Sequence, residues 1–489
     1  MSQTILKKLR RLQSQPARTV DLFSGCGGLS LGFRAAGCEI VAAVEGEPTR
    51  AKTHARNFHP RASDVHGRPR DIIKTQAFDL LRELGLEGTL DAIDLIVGGP
   101  PCQAYARVGR AKLAEVADKH EAYLDDGRGR LWEEYLRFVE DLQPVALLME
   151  NVPDILRYGR RNVADDIARQ LDALGYECRY TLLNAANFGV PQMRERWYLI
   201  GIHKSVDAEP RFPAPTHYFD VPPGYRGTRA AARALQQTKL FKSGFLVDLY
   251  DAEPALKNAV TCEEALGDLP SISEAVKHTG KGARDLGARL SHGTPPQTDY
   301  QRLMRNWPGF ASDVDVTAHV IRYLPRDFET FGRMKEGGEY PAAIAAAESI
   351  VHERARALGI LPDSAAWTAL YASIVPPYKR DKFPNKWVKL RHDFPSRTLM
   401  AHLSHDSYSH IHYSAEQART ISVREAARLQ SFPDGFQFCG AMNAAFGQIG
   451  NAVPPLMAQA LARQILARLR EPVARRTLAP QRHQPAMWT

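Results

Sequence analysis

Over its first 205 residues the sequence alternates short apolar runs of β type with runs of helical periodicity. This alternation predicts a parallel sheet covered by helices, because successive parallel strands are joined by crossover helices. Leu131–Leu142 is predicted to be one such helix, since its apolar residues recur at helical spacing. The candidate strands are Thr19–Phe23, Ile40–Val44, Asp94–Val97, Val145–Met149 and Trp197–Ile202.

The alternation stops after His203 and order returns only near the C-terminus. Proline, glycine and basic residues follow His203, and periodicity stays weak to about Arg391. Helical patterns resume after Thr420, in ISVREAARLQSF and GQIGNAVPPLMAQALARQILARL. A chain that starts a domain, leaves it and returns implies an inserted domain. The polar segment Glu471–Thr489 is expected to be disordered.

The composition is that of a globular protein of two domains or of one domain with a large insertion. The 489 residues are 44% hydrophobic and 24% charged. No apolar run approaches the roughly 18 to 20 residues of a membrane span, so a membrane protein is not expected. The basic segment Met1–Arg18 lacks the apolar core of a secretory signal and is interpreted as a short solvated helix.

Cysteine spacing and charge indicate the surroundings of the protein. Its six cysteines are scattered and none form C-x-x-C pairs, so neither a disulfide framework nor a zinc knuckle is visible, and a reducing cytoplasm fits. The net charge of +9 and a pI near 9.2 suit a polyanionic partner, because lysine and arginine displace counterions from phosphates. Charge alone does not identify that partner.

A small-residue turn follows the first candidate strand. The segment Phe23-Ser24-Gly25-Cys26-Gly27-Gly28 would let the backbone approach a ligand at the carboxyl end of the sheet. Glu45 ends the second candidate strand, where a carboxylate can accept ribose hydroxyl hydrogens, and Asp71 is predicted to face an adenine amino group at a third strand end. Structural glycines in a tight turn and an exposed acid are the alternatives.

Two reactive groups follow later strands. The strand Asp94–Val97 leads into Gly98-Gly99-Pro100-Pro101-Cys102-Gln103, a rigid turn that would present one thiol to a cleft. Val145–Met149 leads into Glu150, which places a carboxylate at the same sheet edge.

Five motifs, FSGCGG, GGPPCQ, MENVP, QMRER and GNAVPP, occur in the order found in the DNA cytosine-5 methyltransferases, and the chain resembles that family over residues 18–205 and 391–465. The resemblance implies an α/β fold: an S-adenosylmethionine-dependent, Rossmann-like methyltransferase domain with a smaller inserted target-recognition domain. The implied boundaries are 1–17 for a lead-in, 18–205 and 440–470 for the catalytic domain, 206–439 for target recognition and 471–489 for the tail.

The resemblance also implies roles for the catalytic residues. Cys102 corresponds to the nucleophile that adds to carbon 6 of cytosine, and Glu150 to the acid that holds ring nitrogen 3 and the exocyclic amine, which requires a raised pKa. Arg196 corresponds to a contact of the cytosine carbonyl oxygen. Arg194 belongs to the same pair, or else orients Glu150 or positions Cys102. The residues implied to line the S-adenosylmethionine site are Phe23, Gly25, Gly27, Glu45, Asp71, Pro101, Leu131, Asn451 and Val453.

The sequence departs from the family pattern at three places. Ala106 replaces a serine that usually follows the catalytic cysteine by four residues, Arg70 replaces a glycine before Asp71, and the loop Gln103–Gly129 is longer than in compact members. We expect the longer loop to alter closure over DNA rather than the chemistry.

Recognition of DNA is assigned to the inserted region. A stacked base cannot react, so a basic cleft between two domains is expected to hold the flipped cytosine. Lys379–Trp387 interleaves cations with aromatics, as either a DNA-backbone segment or a solvated loop. Arg424, Glu425 and Arg428 are implied to organise the region structurally. No metal is expected, because the spacing of His402, His405, His410 and His412 fits no common site.

The expected partner is double-stranded DNA, and a cognate restriction endonuclease encoded nearby is a candidate because such methylases commonly serve restriction-modification systems. A monomer is expected. Two alternatives remain open: a tRNA cytosine methyltransferase of the same chemistry, disfavoured by the large insert, and a catalytically silent nucleic-acid-binding relative, disfavoured by the intact Cys102, Glu150 and Arg196.

Overall fold

A computed structural model describes residues 3–86, 89–101, 131–157, 162–223, 229–230, 243–247, 251–272, 285–378 and 386–471. The strands are β1 (Arg18–Leu22), β2 (Glu39–Val44), β3 (Leu95–Gly98), β4 (Ala146–Asn151), β5 (Tyr176–Asn184), β6 (Gln192–Met193), β7 (Glu195–His203), β8 (His217–Tyr218), β9 (Lys257–Asn258), β10 (Leu290–Ser291), β11 (Asp315–Val316) and β12 (Ser396–Arg397).

The helices are α1 (Gln3–Leu12), α2 (Gly28–Ala35), α3 (Pro48–Phe58), α4 (Ser63–His66), α5 (Ala77–Glu83), α6 (Leu131–Leu142), α7 (Val163–Ala173), α8 (Cys262–Leu266), α9 (Asp299–Arg305), α10 (Phe328–Arg333), α11 (Tyr340–Leu358), α12 (Ala365–Ile374), α13 (Val423–Leu429), α14 (Met442–Asn451) and α15 (Pro455–Arg470). The predicted helix Leu131–Leu142 is confirmed, as are the predicted strands to within two residues at either end.

The central sheet has the strand order β2-β1-β3-β4-β7-β5. Strands β1 to β4 pair in parallel, whereas β7 runs antiparallel to both β4 and β5. The predicted parallel sheet is therefore confirmed for β1 to β4 and wrong for β7, and β5 was not predicted. The connection from β5 to β7 is too short for a crossover helix, so the two strands pair antiparallel.

Helices cover both faces of this sheet. Alternate residues of β3 divide between the faces: Ile96 packs in the cluster that includes α5, α6 and α7, and Leu95 and Val97 pack in the cluster that includes α1, α2 and α15. This division follows from the two-residue period of a strand. Because residues of α15 belong to the second cluster, this C-terminal helix packs on the same sheet as the N-terminal strands.

The N-terminal helix α1 is docked rather than solvated, which corrects the expectation for this segment. Ile5, Lys8 and Leu12 are buried, and the Lys8 ammonium donates to the carbonyls of Leu142 (3.0 Å) and Gln143 (2.7 Å). A lysine can be buried here because these carbonyls replace water as acceptors.

The inserted region is organised around α13. Arg424 donates to the main-chain carbonyls of Thr317, Pro433 and Phe436 at 2.8 to 2.9 Å. Glu425 accepts two bonds of 2.7 Å from Arg419. These bonds hold one short helix to the segments directly before and after it and, through Thr317, to a distant segment of the chain. Within the described residues no helix is long and apolar enough to cross a membrane.

Candidate active site

The glycine-rich segment after β1 forms a tight turn into α2. Gly25 and Gly27 have φ angles of 57° and 101°, in the left-handed region that favours glycine. A Cβ atom at Gly27 would overlap the ring of Phe58, and one at Gly28 would overlap the carbonyl oxygen of Val453. Gly27 and Gly28 therefore allow close packing, whereas Gly25 lines a cavity.

Glu45 directly follows β2 and is held against this turn. Its carboxylate accepts hydrogen bonds from the N–H groups of Gly25 (2.9 Å) and Glu47 (2.8 Å). These two bonds fix the carboxylate while each oxygen retains a second lone pair. The geometry is suited to accepting hydroxyl hydrogens of a ribose.

Most of the predicted site residues line one cavity of about 1460 Å³ at the carboxyl ends of β1, β2, β3 and β4. The predicted residues on its wall are Phe23, Gly25, Glu45, Asp71, Pro101, Leu131, Glu150, Arg194, Arg196, Asn451 and Val453. Gly27 does not line it and lies behind the turn, against Phe58. Cys102 lies outside the described residues.

The residue Asp71 reaches the cavity from a turn and not from a strand end, which corrects the sequence prediction. Its side chain accepts from the N–H of Ile73 (3.1 Å), and its carbonyl accepts from the N–H groups of Lys74 and Thr75 (both 3.0 Å). An aspartate that bonds its own downstream backbone favours a turn over a strand.

Ser24 is a cavity residue that was not singled out from the sequence. Its Oγ is buried and has no hydrogen-bond partner among the described residues. A buried hydroxyl is normally paired, so a polar ligand group fits at this position. Its place inside the FSGCGG motif was the available signal.

Glu150 and Arg196 form an ion pair on the cavity wall, with 3.2 Å between Arg196 Nε and Glu150 Oε1. Glu150 is opposite Tyr198 in the antiparallel pairing of β4 with β7, which brings Arg196, two residues earlier on β7, beside it. Burial raises the pKa of Glu150, and the positive charges of Arg196 and Arg194 oppose that rise. The direction of this shift agrees with the raised pKa that the role implied for Glu150 by the family resemblance requires.

Arg194 lies beside this pair but is anchored elsewhere. It is buried, and its Nη1 donates to the carbonyl of Leu399 (2.8 Å) in the inserted region. Leu399 in turn bonds Gln192 through its N–H (2.9 Å to Oε1). Arg194 therefore links the cavity to the inserted region.

The turn after β3 packs directly on Glu150. A Cβ atom added to Gly99 would lie 2.9 Å from Glu150 Oε2, so a side chain cannot be accommodated without displacing the acid. Asn151 Nδ2 donates to the Pro100 carbonyl at 3.2 Å. Pro101 lines the cavity, and Cys102 is the next residue in the chain.

The inserted region supplies a further part of the cavity wall that carries no recognisable sequence motif. The residues concerned are Lys386, Arg397, Thr398, Met400, Ala401, His402, Asp406 and Ser409. Of the predicted DNA segment Lys379–Trp387, residues 379–385 lie outside the described part of the chain.

The histidines His402, His405, His410 and His412 do not form one cluster. His402 and His405 have near-parallel rings 5.5 Å apart, while His410 and His412 are buried, which lowers the pKa of each to about 3. Among the described residues no group of three or more His, Cys, Asp or Glu side chains could hold a metal ion.

The α/β sheet, with a glycine turn after β1 and acids at the ends of β2 and β4, is consistent with a methyltransferase of the α/β class. The chain belongs to the C-5 cytosine-specific DNA methylases, whose family model matches residues 17–467. It is accordingly a DNA cytosine-5 methyltransferase, a class that uses S-adenosylmethionine.

Its similarity to individual proteins agrees with this family. A protein of Oceanobacillus iheyensis named as a type II methyltransferase is 39% identical over 449 residues, covering 91% of this chain and 94% of the relative. The type II methyltransferase M.AgeI of Thalassovita gelatinovora is 31% identical over 473 residues, covering 92% and 99%. A solved structure described as a prophage-encoded DNA modification methyltransferase from E. coli has a TM-score of 0.58 at 21% identity, covering 93% of this chain and all of that one, and shows the fold alone.

Proposed function

We propose that this enzyme transfers a methyl group from S-adenosylmethionine to carbon 5 of a cytosine flipped out of a specific duplex DNA sequence, through a covalent adduct of Cys102 with carbon 6. The observation that carries the proposal is the sharing of one cavity by Glu150, Arg196 and the cofactor residues. Pro101 lines the same cavity, and Cys102 is the next residue in the sequence.

The covalent step activates a poor nucleophile. The Cys102 thiolate adds to carbon 6, a sulfur–carbon bond forms, and the electron pair of the 5,6 double bond moves to carbon 5. After methylation a water molecule takes the carbon 5 proton, the double bond re-forms and the thiolate leaves. The methyl group joins carbon 5 as its bond to the sulfonium sulfur breaks, which releases S-adenosylhomocysteine, and Cys102 begins and ends the cycle as the same thiolate.

Glu150 and the two arginines stabilise the charge that develops on the ring. Burial keeps Glu150 protonated to a higher pH than an ordinary carboxyl, so it can donate to ring nitrogen 3 as the adduct forms. Arg196 contacts the carbonyl oxygen of the base. Arg194, bonded to Leu399, holds this edge of the cavity in place.

The residues at the β1 and β2 ends fit the cofactor. Glu45 would accept the ribose hydroxyls, Ser24 Oγ would gain the partner it lacks, and Phe23, Leu131 and Val453 would supply apolar walls. When bound, S-adenosylmethionine supplies the methyl group as an electrophile. Gly25, Asp71, Pro101 and Asn451 complete the proposed contacts, while Gly27 acts through packing of the turn.

The biological role proposed is that of the modification enzyme of a restriction-modification system in a bacterial cytoplasm. The two relatives described above are named as type II methyltransferases, and both are matched over nine tenths or more of their length. Double-stranded DNA is the proposed substrate partner, a cognate restriction endonuclease the proposed genetic partner, and a monomer the proposed active form.

The test measures transfer of labelled methyl from S-adenosylmethionine to unmethylated plasmid DNA and to tRNA, followed by base-resolution mapping. The wild-type enzyme should label carbon 5 of cytosine in one short recurring DNA sequence. Cys102→Ser should abolish turnover and leave cofactor affinity largely intact, because a hydroxyl is a far weaker nucleophile at neutral pH.

Other outcomes identify the alternatives. Label only in tRNA would replace the DNA substrate, and binding of DNA without transfer to either nucleic acid would favour a silent relative. Turnover by Cys102→Ser at the wild-type rate would overturn the covalent mechanism.

A further inference from the structure

The segment Met400–Asp406, termed here the 400–406 turn, forms part of the wall of the catalytic cavity. Met400, His402 and Asp406 line the same cavity as Glu150 and Arg196. A cytosine that enters this cavity must leave its duplex, so the flanking base pairs stay at the cavity mouth. The 400–406 turn is therefore placed beside those base pairs.

The backbone that leads into this turn is fixed relative to the catalytic residues. Strand β12 pairs in parallel with β6, and the Thr398 hydroxyl donates to the Met193 carbonyl at 2.7 Å. The Leu399 carbonyl accepts from Arg194 (2.8 Å). These bonds set the position of the turn relative to Arg194.

Two further contacts hold the turn itself. Gly450 of α14 packs so closely on Met400 and Ala401 that an added Cβ atom would overlap their backbone. Arg322 Nη2 donates to the Leu403 carbonyl at 2.6 Å. Rigid support of this kind is what a contact residue needs to discriminate between similar ligands.

In contrast to this fixed backbone, side chains of the turn face solvent. The His402 side chain is 62% exposed and Met400 is 47% exposed. Asp406 Oδ2 lies 2.9 Å from His402 Nε2, which orients the imidazole. An imidazole held through Nε2 presents Nδ1 and a flat ring to a base edge, where donors and acceptors carry sequence information.

We propose that His402, oriented by Asp406, is a specificity-determining residue that contacts the edge of a base pair flanking the target cytosine. This inference rests on the proposed function, since it requires duplex DNA as the substrate. A residue that reads a base edge affects discrimination at one position, whereas a phosphate contact weakens all sequences alike.

The experiment uses the full chain and the sequence mapped for the wild-type enzyme. A set of duplexes carries single base-pair substitutions at each position, and kcat/KM is measured on every duplex for wild type, His402→Ala and Asp406→Asn. Discrimination is the ratio of kcat/KM on the unchanged duplex to kcat/KM on a substituted duplex. In His402→Ala this ratio should fall about tenfold at one flanking base pair and stay at the wild-type value at the others. Asp406→Asn should weaken discrimination at that same position.

A matched control exists elsewhere in the inserted region. His392 pairs with Glu336 (2.6 Å between Nδ1 and Oε2) and is likewise exposed, but it does not line the cavity. His392→Ala should leave discrimination at every position unchanged. Cofactor affinity, measured by isothermal titration, should be unchanged in all three variants, which shows that each is folded.

Two results would overturn the assignment of His402. An equal loss of kcat/KM on all duplexes would make it a backbone contact, and unchanged discrimination in His402→Ala and Asp406→Asn would remove it from the interface. If His402→Ala does not bind cofactor, Asp406→Asn decides the question alone. Failure of the wild-type enzyme to methylate DNA would instead refute the proposed function.

Discussion

Glu150 and Asp21 are carboxyls whose properties are set by burial at the carboxyl end of the sheet. Burial raises the pKa of Glu150, and it raises the pKa of Asp21 to about 7. Glu150 lines the cavity, whereas Asp21 lies beneath the glycine turn and accepts a 2.6 Å bond from the Ser30 hydroxyl. The first is expected to act in catalysis and the second in folding.

Glu150→Gln should lower kcat by at least about 100-fold, because an amide cannot supply the proton that a carboxylic acid supplies to the ring. Cofactor affinity should change little, since the substitution keeps the shape of the side chain. Steady-state methyl transfer to plasmid DNA measures kcat. Glu177→Gln, near the other end of the sheet on β5, is the control and should retain wild-type kcat; equal losses in both variants would contradict the role of Glu150.

Asp21 should make the free energy of unfolding depend on pH. Its folded pKa of about 7 exceeds the ordinary 3.8, so the folded protein holds a proton that the unfolded chain has released between these values. The contribution of Asp21 to stability is thus full below about pH 4. It is lost as pH rises to about 7, by at most about 1.4 kcal/mol per pH unit.

Asp21→Asn removes this proton uptake. Urea unfolding at several pH values should show the variant gaining stability relative to wild type between pH 4 and 7, with no further change above pH 7. Parallel stability curves for the two proteins across that range would show that Asp21 does not titrate there.

At the scale of elements, the sequence predicted those strands and helices whose apolar pattern is decided locally. Strands β1 to β4 and helix α6 follow from short apolar runs and helical spacing. Strand β5 was missed because Glu177 and Arg179 interrupt its apolar run. Its antiparallel pairing with β7 depends on the length of the connection, which periodicity does not report.

The close packing of α2 on the C-terminal return segment should be essential to the cofactor site. Gly28→Ala would force a Cβ atom against the Val453 carbonyl, where backbone must move. We expect cofactor affinity to fall by about tenfold and stability by about 1 to 3 kcal/mol. Isothermal titration and thermal unfolding measure these changes. Gly244→Ala, where no atom of the described chain lies within 4 Å of the added Cβ atom, is the control; similar behaviour of the two variants would refute this account.

The buried ion pairs of α13 should stabilise the inserted region. Arg428 is fully buried between Asp434 (2.6 Å) and Asp268 (2.5 Å). Arg428→Ala would leave Asp434 buried without its arginine, whereas Asp268 would keep its bond from Arg305 (2.7 Å), and it should destabilise the protein by about 3 to 5 kcal/mol. Arg302→Ala breaks an exposed pair with Asp299 and should leave the unfolding midpoint unchanged. Chemical denaturation gives the free energy of unfolding of both variants. A loss in Arg428→Ala as small as that in Arg302→Ala would contradict the stabilising role of this cluster.

At the scale of the whole molecule, the five ordered motifs predicted the family and part of the cavity wall. They could not predict the wall formed by Arg397, Met400 and His402, because those residues reach the cavity only through contacts of the inserted region with Gln192, Arg194 and Gly450. A long-range contact of this kind has no local sequence signal.

The charge of +9 should make DNA binding depend strongly on salt. The logarithm of the DNA dissociation constant should rise linearly with the logarithm of salt concentration, because bound lysines and arginines release counterions from phosphates. Cofactor affinity should change far less over the same range. Fluorescence anisotropy with a labelled duplex measures the first and isothermal titration the second; DNA affinity that is independent of salt would contradict a phosphate-bound duplex.

The central claim, a covalent adduct of Cys102 with cytosine in DNA, is tested most directly with a duplex that carries 5-fluorocytosine at the mapped target. The carbon–fluorine bond blocks the final elimination, so the adduct should accumulate. In the presence of S-adenosylmethionine we expect wild-type protein, but not Cys102→Ser, to form a complex that survives denaturing electrophoresis, with the DNA attached at Cys102 by peptide mapping. Absence of such a complex while unmodified DNA is methylated normally would contradict the covalent mechanism.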